Sequence, residues 1–173
     1  DEGYIGGTED PRIVYGFGGV IAYKNIDFNF FFQGTADAHR VIGNSTIFLP
    51  GSGTTVQGNA YSENLDDRWT DDNQDPYAFW PRLTYGPNKN NYRASTWWKK
   101  DMSFLRLKTV EIGYTFPKKW MEKIYSKGAR VFVSGNNLLC FSPFKLWDPE
   151  LGTNNGLKYP MNRSILFGID INF

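Results

Sequence analysis

The chain has 173 residues, a net charge of +1 and a pI near 8.0, and this balanced charge predicts no binding of nucleic acid. Cys140 is its single cysteine, which excludes an intrachain disulfide and a multi-cysteine metal site. No apolar run approaches the roughly 20 residues that a membrane-spanning helix requires. Aromatic residues make up 17% of the chain although its mean hydropathy is −0.48, which is typical of strands with one apolar and one hydrated face.

The first two predicted strands form a hairpin. The first strand, at 13–23, alternates large apolar residues with glycine and alanine. Lys24 and Asn25 predict a tight turn, and the second strand follows at 26–34. On this second strand one face carries Ile26, Phe28, Phe30 and Phe32, and the other carries Asp27, Asn29, Phe31 and Gln33.

Three further strands are predicted at 103–116, 129–139 and 164–173. In the first of them the charged Arg106 and Lys108 are spaced so that they would share a face with the apolar Val110. Either this end of the strand would lie outside the lipid of a membrane, or a bulge shifts the register. The last strand has the clearest alternation of all. Its apolar positions are Ile165, Phe167, Ile169, Ile171 and Phe173.

The predicted connections between the strands alternate between short and long along the chain. Residues 35–101 show no sustained period and form one long loop, whose aromatic content argues against disorder. Residues 140–162 form a second, shorter loop, and residues 117–128 hold one or two helical turns. If the end of the last strand is periplasmic, both loops are extracellular, and both short connections are periplasmic, as in outer-membrane barrels.

These strands favour a membrane over a soluble β-sandwich, which would show the same alternation. The apolar faces are heavily aromatic, as in the interfacial girdles of a barrel. Five strands cannot close a barrel, and an open sheet in lipid leaves unpaired N–H and C=O groups at both edges. We therefore expect an all-β chain that is one part of a larger barrel.

Several sequence blocks resemble the SusC/RagA family of TonB-dependent outer-membrane transporters, in the order in which that family has them. The blocks are PRIVYGFG (11–18), FFFQG (30–34), RWT (68–70), DMSFLRLKTVEIGYTFP (101–117), RVFVSGNNLL (130–139), WDPE (147–150) and YPMNRSILFGIDINF (159–173). The resemblance implies the last five antiparallel strands of a 22-stranded transmembrane β-barrel with a plug. It also implies a Bacteroidetes-type outer membrane, a SusD-like lipoprotein lid and energy from the TonB complex.

Two groups of residues are candidates for function. Trp69, Trp80, Trp97 and Trp98 of the long loop either contact ligand or lid, or pack against each other to hold the loop in shape. Phe167, Ile169, Ile171 and Phe173 resemble the terminal signal that the barrel assembly machinery reads.

Catalysis and metal binding are not expected. His39 is the only histidine, and no nucleophile motif accompanies it. Asp71 to Asp75 begins like a calcium loop, but Pro76 and Arg82 replace the glycine and the bidentate glutamate that such a loop needs. We expect no enzyme and no cofactor.

The leading hypothesis is the active import of oligomeric nutrients, either glycans or peptides, across the outer membrane. The alternative is a surface or secreted carbohydrate-binding β-module that uses exposed tryptophans. A module of this kind stays monodisperse in buffer, whereas a barrel segment aggregates without detergent.

We expect Phe173→Ala in the full-length parent protein to lower the amount of assembled barrel, because it removes the aromatic residue of the resembled assembly signal. Quantification of the folded protein in isolated outer membranes checks this. An unchanged level would contradict the assembly role.

Overall fold

The computed structural model describes residues 3–42, 62–84 and 88–173. They form two compact units, and each is considered by itself. The sheet unit comprises 7–39, 101–152 and 158–173, and the loop unit comprises the described parts of 1–6, 40–100 and 153–157. Among the described residues, none of the helices has the length and apolar character needed to cross a membrane.

Seven strands and five short helical segments make up the regular structure of these residues. The strands are β1 (Ile13–Tyr23), β2 (Ile26–Ala36), β3 (His39–Val41), β4 (Lys99–Asp101), β5 (Phe104–Thr115), β6 (Gly128–Phe141) and β7 (Ser164–Asn172). The α-helices are α1 (Ser62–Asp66), α2 (Lys89–Tyr92) and α3 (Lys118–Met121), and the 3₁₀ segments are Glu122–Ile124 and Pro149–Leu151.

The sheet unit is an antiparallel five-stranded sheet in the order β1-β2-β5-β6-β7. This confirms the predicted all-β class with five antiparallel strands. Tyr23 pairs with Ile26 across the two-residue turn, and Lys24 there adopts a φ of 54°. Positive φ at such a turn matches the twist of a hairpin.

The predicted loop 35–101 requires correction where the structure describes it. Strand β2 runs on to Ala36, and β3, α1, α2 and β4 lie within the predicted loop. Similarly, β6 extends to Phe141 rather than ending at 139. Beyond residues 34 and 139 the main chain still pairs, although apolar and polar side chains no longer alternate. The pattern therefore predicted strand ends that lie too early. Residues 43–61 and 85–87 of the predicted loop lie outside the described residues.

A β-bulge at Lys108 resolves the ambiguous half of β5. The register with β2 and β6 shifts between Leu107 and Thr109, so that Lys108 has no ladder partner. Asn137 adopts a φ of 55° in the facing part of β6. Because of the shift, Leu107 joins the apolar face and Arg106 joins the opposite face. Of the two sequence-based explanations, the bulge is the one observed.

The two faces of the sheet differ in chemistry, and we call them the outer and the inner face. The outer face exposes apolar side chains to a degree that is rare for a water-soluble sheet. Its exposed members include Phe17, Ile21, Ile112, Leu139, Ile165, Phe167, Ile169 and Ile171. The inner face carries most of the charged and amide side chains, together with Phe31 and Leu166.

The outer strands of the sheet leave one edge of β1 and one edge of β7 without a partner among the described residues. With 11 and 9 residues, these edges present several unpaired N–H and C=O groups each. In lipid each such group costs several kcal/mol. The sheet therefore requires further strands beside it.

An ion network on the inner face joins three neighbouring strands. Arg130 of β6 donates bidentately to Asp27 of β2 and also to Glu111 of β5, whose Oε1 lies 2.7 Å from its guanidinium. Its side chain passes over Gly113, where an added Cβ would lie 2.6 Å from Arg130 Nε. Glycine at this position therefore lets one arginine reach a strand two places away.

We expect Arg130→Gln in the full-length protein to destabilise the assembled barrel by about 1–3 kcal/mol, because Asp27 and Glu111 lose their charged donor and repel each other. The temperature at which the folded band disappears in semi-native electrophoresis measures this. Arg163→Gln, at an exposed position, is the matched control. Equal midpoints for the two variants would contradict a stabilising network.

Candidate ligand-binding groove

Two of the four predicted tryptophans form the buried centre of the loop unit. Trp80 and Trp98 are 3% and 2% exposed, and their rings meet edge to face at a centroid distance of 6.1 Å. The main chain around Trp80 is also fixed, since Trp69 N donates to Trp80 O at 3.0 Å and Trp80 N to Asp67 O at 2.9 Å. Such aromatic pairs stabilise beyond their buried area.

Hydrogen bonds fix the indole rings of Trp97 and Trp98. Trp97 Nε1 donates to Phe79 O at 3.3 Å, and Trp98 Nε1 donates to Asn91 O at 2.9 Å. Lys100 Nζ lies 3.9 Å from the centroid of the Phe79 ring. Burial lowers the pKa of Lys100, and the negative charge of Asp67 acts in the opposite direction. The rings are held in place by satisfied donors.

A groove of about 1150 Å³ opens beside this centre, wholly within the loop unit. One wall comes from Trp69, Pro81 and Arg82, and another from helix α2 and the segment that follows it. The two walls are linked, because Asn91 Nδ2 donates to Arg82 O at 3.0 Å. The lining residues are Gly3, Tyr4, Ile5, Trp69, Pro81, Arg82, Asn90, Asn91, Arg93, Ala94, Ser95, Thr96, Trp97 and Trp98.

Three of the four predicted contact residues therefore line one groove. Trp69 and Trp97 are partly exposed there, and Trp98 contributes from a buried position. Trp80 is buried and does not line the groove, so it packs the unit rather than offering a contact surface. The polar lining residues were not singled out from the sequence, because asparagine, serine and arginine in a loop carry no period that marks them.

The residues of the proposed assembly signal are found on the outer face of β7 and directly after it. Phe167, Ile169 and Ile171 are exposed on that face, and Phe173 follows the last strand residue, Asn172. Their role as a signal stays a prediction.

A second charged cluster fixes the segment after β6 to the inner face, and we call it the clasp. Arg106, 3% exposed, lies 2.5 Å from Asp148 and 2.9 Å from Glu150, and Lys108 lies 2.6 Å from Glu150. Asp148 also accepts from Glu150 N at the start of the 3₁₀ turn. The bulge described above is the reason why both cations reach the same segment. The resemblance of the WDPE block to the family did not indicate these ion pairs.

The other candidates for chemistry are His39 and the acidic segment 71–75, and neither is among the residues that line the groove. His39 Nδ1 lies 3.6 Å from Asp37 Oδ1 in the sheet unit. Arg82 pairs with Asp71, which stands at the start of the segment that resembles a calcium loop. Among the described residues, no three histidine, cysteine or acidic side chains come together in a way that could hold a metal ion.

Known proteins similar to this chain are outer-membrane receptors and importers, although no family model matches it. It is 32% identical over 188 residues to TonB-dependent receptor P26 of Formosa agariphila, and the aligned region covers all of this chain and 18% of that receptor. It is 23% identical to TonB-dependent receptor SusC of Bacteroides thetaiotaomicron, over 93% of this chain and 15% of SusC. The RagAB peptide importer in its open-open state superposes with a TM-score of 0.72 and 29% identity, over 95% of this chain and 17% of that chain.

The two-faced sheet with open edges and these similarities together define a segment of an outer-membrane β-barrel. The chain spans less than a fifth of the length of the relatives named above. It belongs to the SusC-like family of TonB-dependent receptors.

We expect Arg106→Gln to release the segment that the clasp holds, because two partly buried carboxylates lose the buried arginine that they share, at a cost of about 3 kcal/mol. Limited trypsin digestion of the purified full-length protein, followed by mass spectrometry, measures cleavage after the exposed Lys145 in this segment. Cleavage should become several times faster than in wild type. The control is Lys119→Gln, which also removes one cation, and equal rates in both variants would contradict the clasp.

Proposed function

We propose that this chain supplies five wall strands and an external loop of a transporter that imports oligomeric nutrients, glycans or peptides, across the outer membrane. The observation that carries the proposal is the sheet with an exposed apolar outer face, a charged inner face and two unpaired edges. In lipid such a sheet is stable only as part of a closed barrel. The similarity to TonB-dependent receptors and to the RagAB peptide importer supports it.

The proposal includes the rest of the machine. The five strands are the last of 22, the barrel assembly machinery inserts them, and the outer face contacts membrane lipid. A plug and the remaining strands belong to the same polypeptide, a SusD-like lipoprotein forms the lid, and the TonB complex supplies energy through the plug. The loops at 35–101 and 140–162 lie outside the cell. The chain itself has no catalytic role.

A pair of lysine substitutions on β5 distinguishes this proposal from a carbohydrate-binding module in water. Ile112 is 53% exposed on the outer face, and Thr109 is on the inner face. We expect Ile112→Lys in the full-length protein to reduce folded protein in the outer membrane strongly, because lysine on the lipid-facing side of a barrel is destabilising, by up to about 2–4 kcal/mol. Thr109→Lys should leave the level nearly unchanged. A soluble module would tolerate both changes, so equal levels would contradict the barrel.

Transport is tested in cells that carry the full-length parent protein. Uptake of fluorescently labelled oligosaccharides or oligopeptides should require both TonB and the lid lipoprotein, and it should be lost when either gene is deleted. Uptake that persists without TonB would contradict active import. If uptake is lost in the deletion strains while the amount of folded barrel in the outer membrane stays normal, assembly and transport are separate properties.

A further inference from the structure

The charges along the groove of the loop unit are of one sign. Arg82 and Arg93 are the charged residues among those that line it, and none of the described lining residues carries a carboxylate. Both arginines are exposed. A guanidinium offers a planar fork of donors that matches carboxylate and sulfate oxygens, and it binds them more strongly than it binds neutral hydroxyls. The groove therefore favours an anionic ligand.

The pairing of Arg82 with Asp71 leaves room for such a ligand. The two side chains are 2.9 Å apart, but they are 60% and 64% exposed. Exposed pairs of this kind contribute little, typically less than about 1 kcal/mol. Asp71 does not line the groove, so a ligand on the groove side can share the guanidinium or replace the carboxylate.

The neutral part of the lining suits sugar rings. The indole rings of Trp69 and Trp97 are partly exposed in the groove, and Trp97 is held by a hydrogen bond to a main-chain oxygen, so its ring is already ordered before a ligand binds. Beside them lie the amides of Asn90 and Asn91 and the hydroxyls of Ser95 and Thr96. Flat apolar rings together with small hydrogen-bonding groups match a molecule that has C–H faces and a rim of hydroxyls.

The secondary structure of the lining residues and the volume of the groove favour a saccharide over a peptide. An extended peptide is commonly bound by pairing with the edge of a strand. None of the lining residues belongs to a strand, since they lie in α2 and in irregular segments. The volume of about 1150 Å³ exceeds the roughly 300–1,000 Å³ of a pocket for one small molecule, which leaves room for more than one sugar unit.

We propose that this groove binds an acidic oligosaccharide, with carboxylate or sulfate groups on Arg82 and Arg93 and with sugar rings against Trp69 and Trp97. This inference rests on the proposed import function and specifies the class of nutrient that the loop selects.

Calorimetric titration of the purified full-length transporter tests the ligand class. The probes are hexagalacturonate, a sulfated galactan hexasaccharide, a neutral galactose hexasaccharide and hexaglutamate. We expect one or both acidic saccharides to bind at least tenfold more tightly than the neutral one, a difference of about 1.4 kcal/mol or more. Which of the two binds more tightly distinguishes carboxylate from sulfate. Equal affinity for the neutral hexasaccharide, or tighter binding of hexaglutamate, would overturn the proposal.

Substitution of the two arginines tests the site itself. Arg82→Gln combined with Arg93→Gln should weaken binding of the acidic saccharide at least tenfold and remove most of its dependence on salt. Lys89→Gln is the matched control, because Lys89 is an exposed cation of α2 that does not line the groove. An unchanged affinity in the double variant, with folding confirmed by semi-native electrophoresis, would place the ligand elsewhere.

The failure of this inference is separable from failure of the proposed function. TonB-dependent uptake of a neutral glycan or a peptide would retain the importer and overturn the ligand class. Binding of the acidic saccharide that depends on both arginines, without any TonB-dependent uptake, would retain the site and contradict import.

Discussion

Main-chain hydrogen bonding in a medium without water is the constraint on which this chain depends. Its five long strands satisfy one another across the sheet, but β1 and β7 each keep an open edge. In water, an exposed apolar face and open strand edges are both unfavourable. In a closed barrel in lipid, the apolar face contacts lipid and every strand edge has a partner. Family membership, shown by the receptors of similar sequence, agrees with this physical argument.

The inner face shows how charged side chains organise such a wall. Arg130 connects three strands near one end of the sheet, and this connection depends on Gly113, which leaves space for the arginine. Near the other end, Arg106 and Lys108 hold the segment around Glu150 against the same face. In both clusters an arginine is paired with two carboxylates, so each is a fixed part of the wall. The arginines that line the groove of the loop unit are exposed.

The loop unit reaches order by a different route from the sheet. It has little regular structure, and its stability comes from buried tryptophans and from side-chain bonds to main-chain oxygens. This arrangement lets a long connection hold a fixed surface of indoles, amides and guanidinium groups. A surface of this kind can be selective without strands of its own, because its lining groups are ordered before a ligand arrives.

The sequence by itself determined the strands and their two faces, because side chains in a strand alternate with a period of two and the pattern survives without any tertiary knowledge. It also placed the tryptophans in one long connection. Only the tertiary structure decided which explanation held for Arg106, since a bulge changes the register without leaving a mark in composition. The same is true of the burial of Trp80 and of the groove, because residues distant in sequence meet there through irregular main chain that has no period.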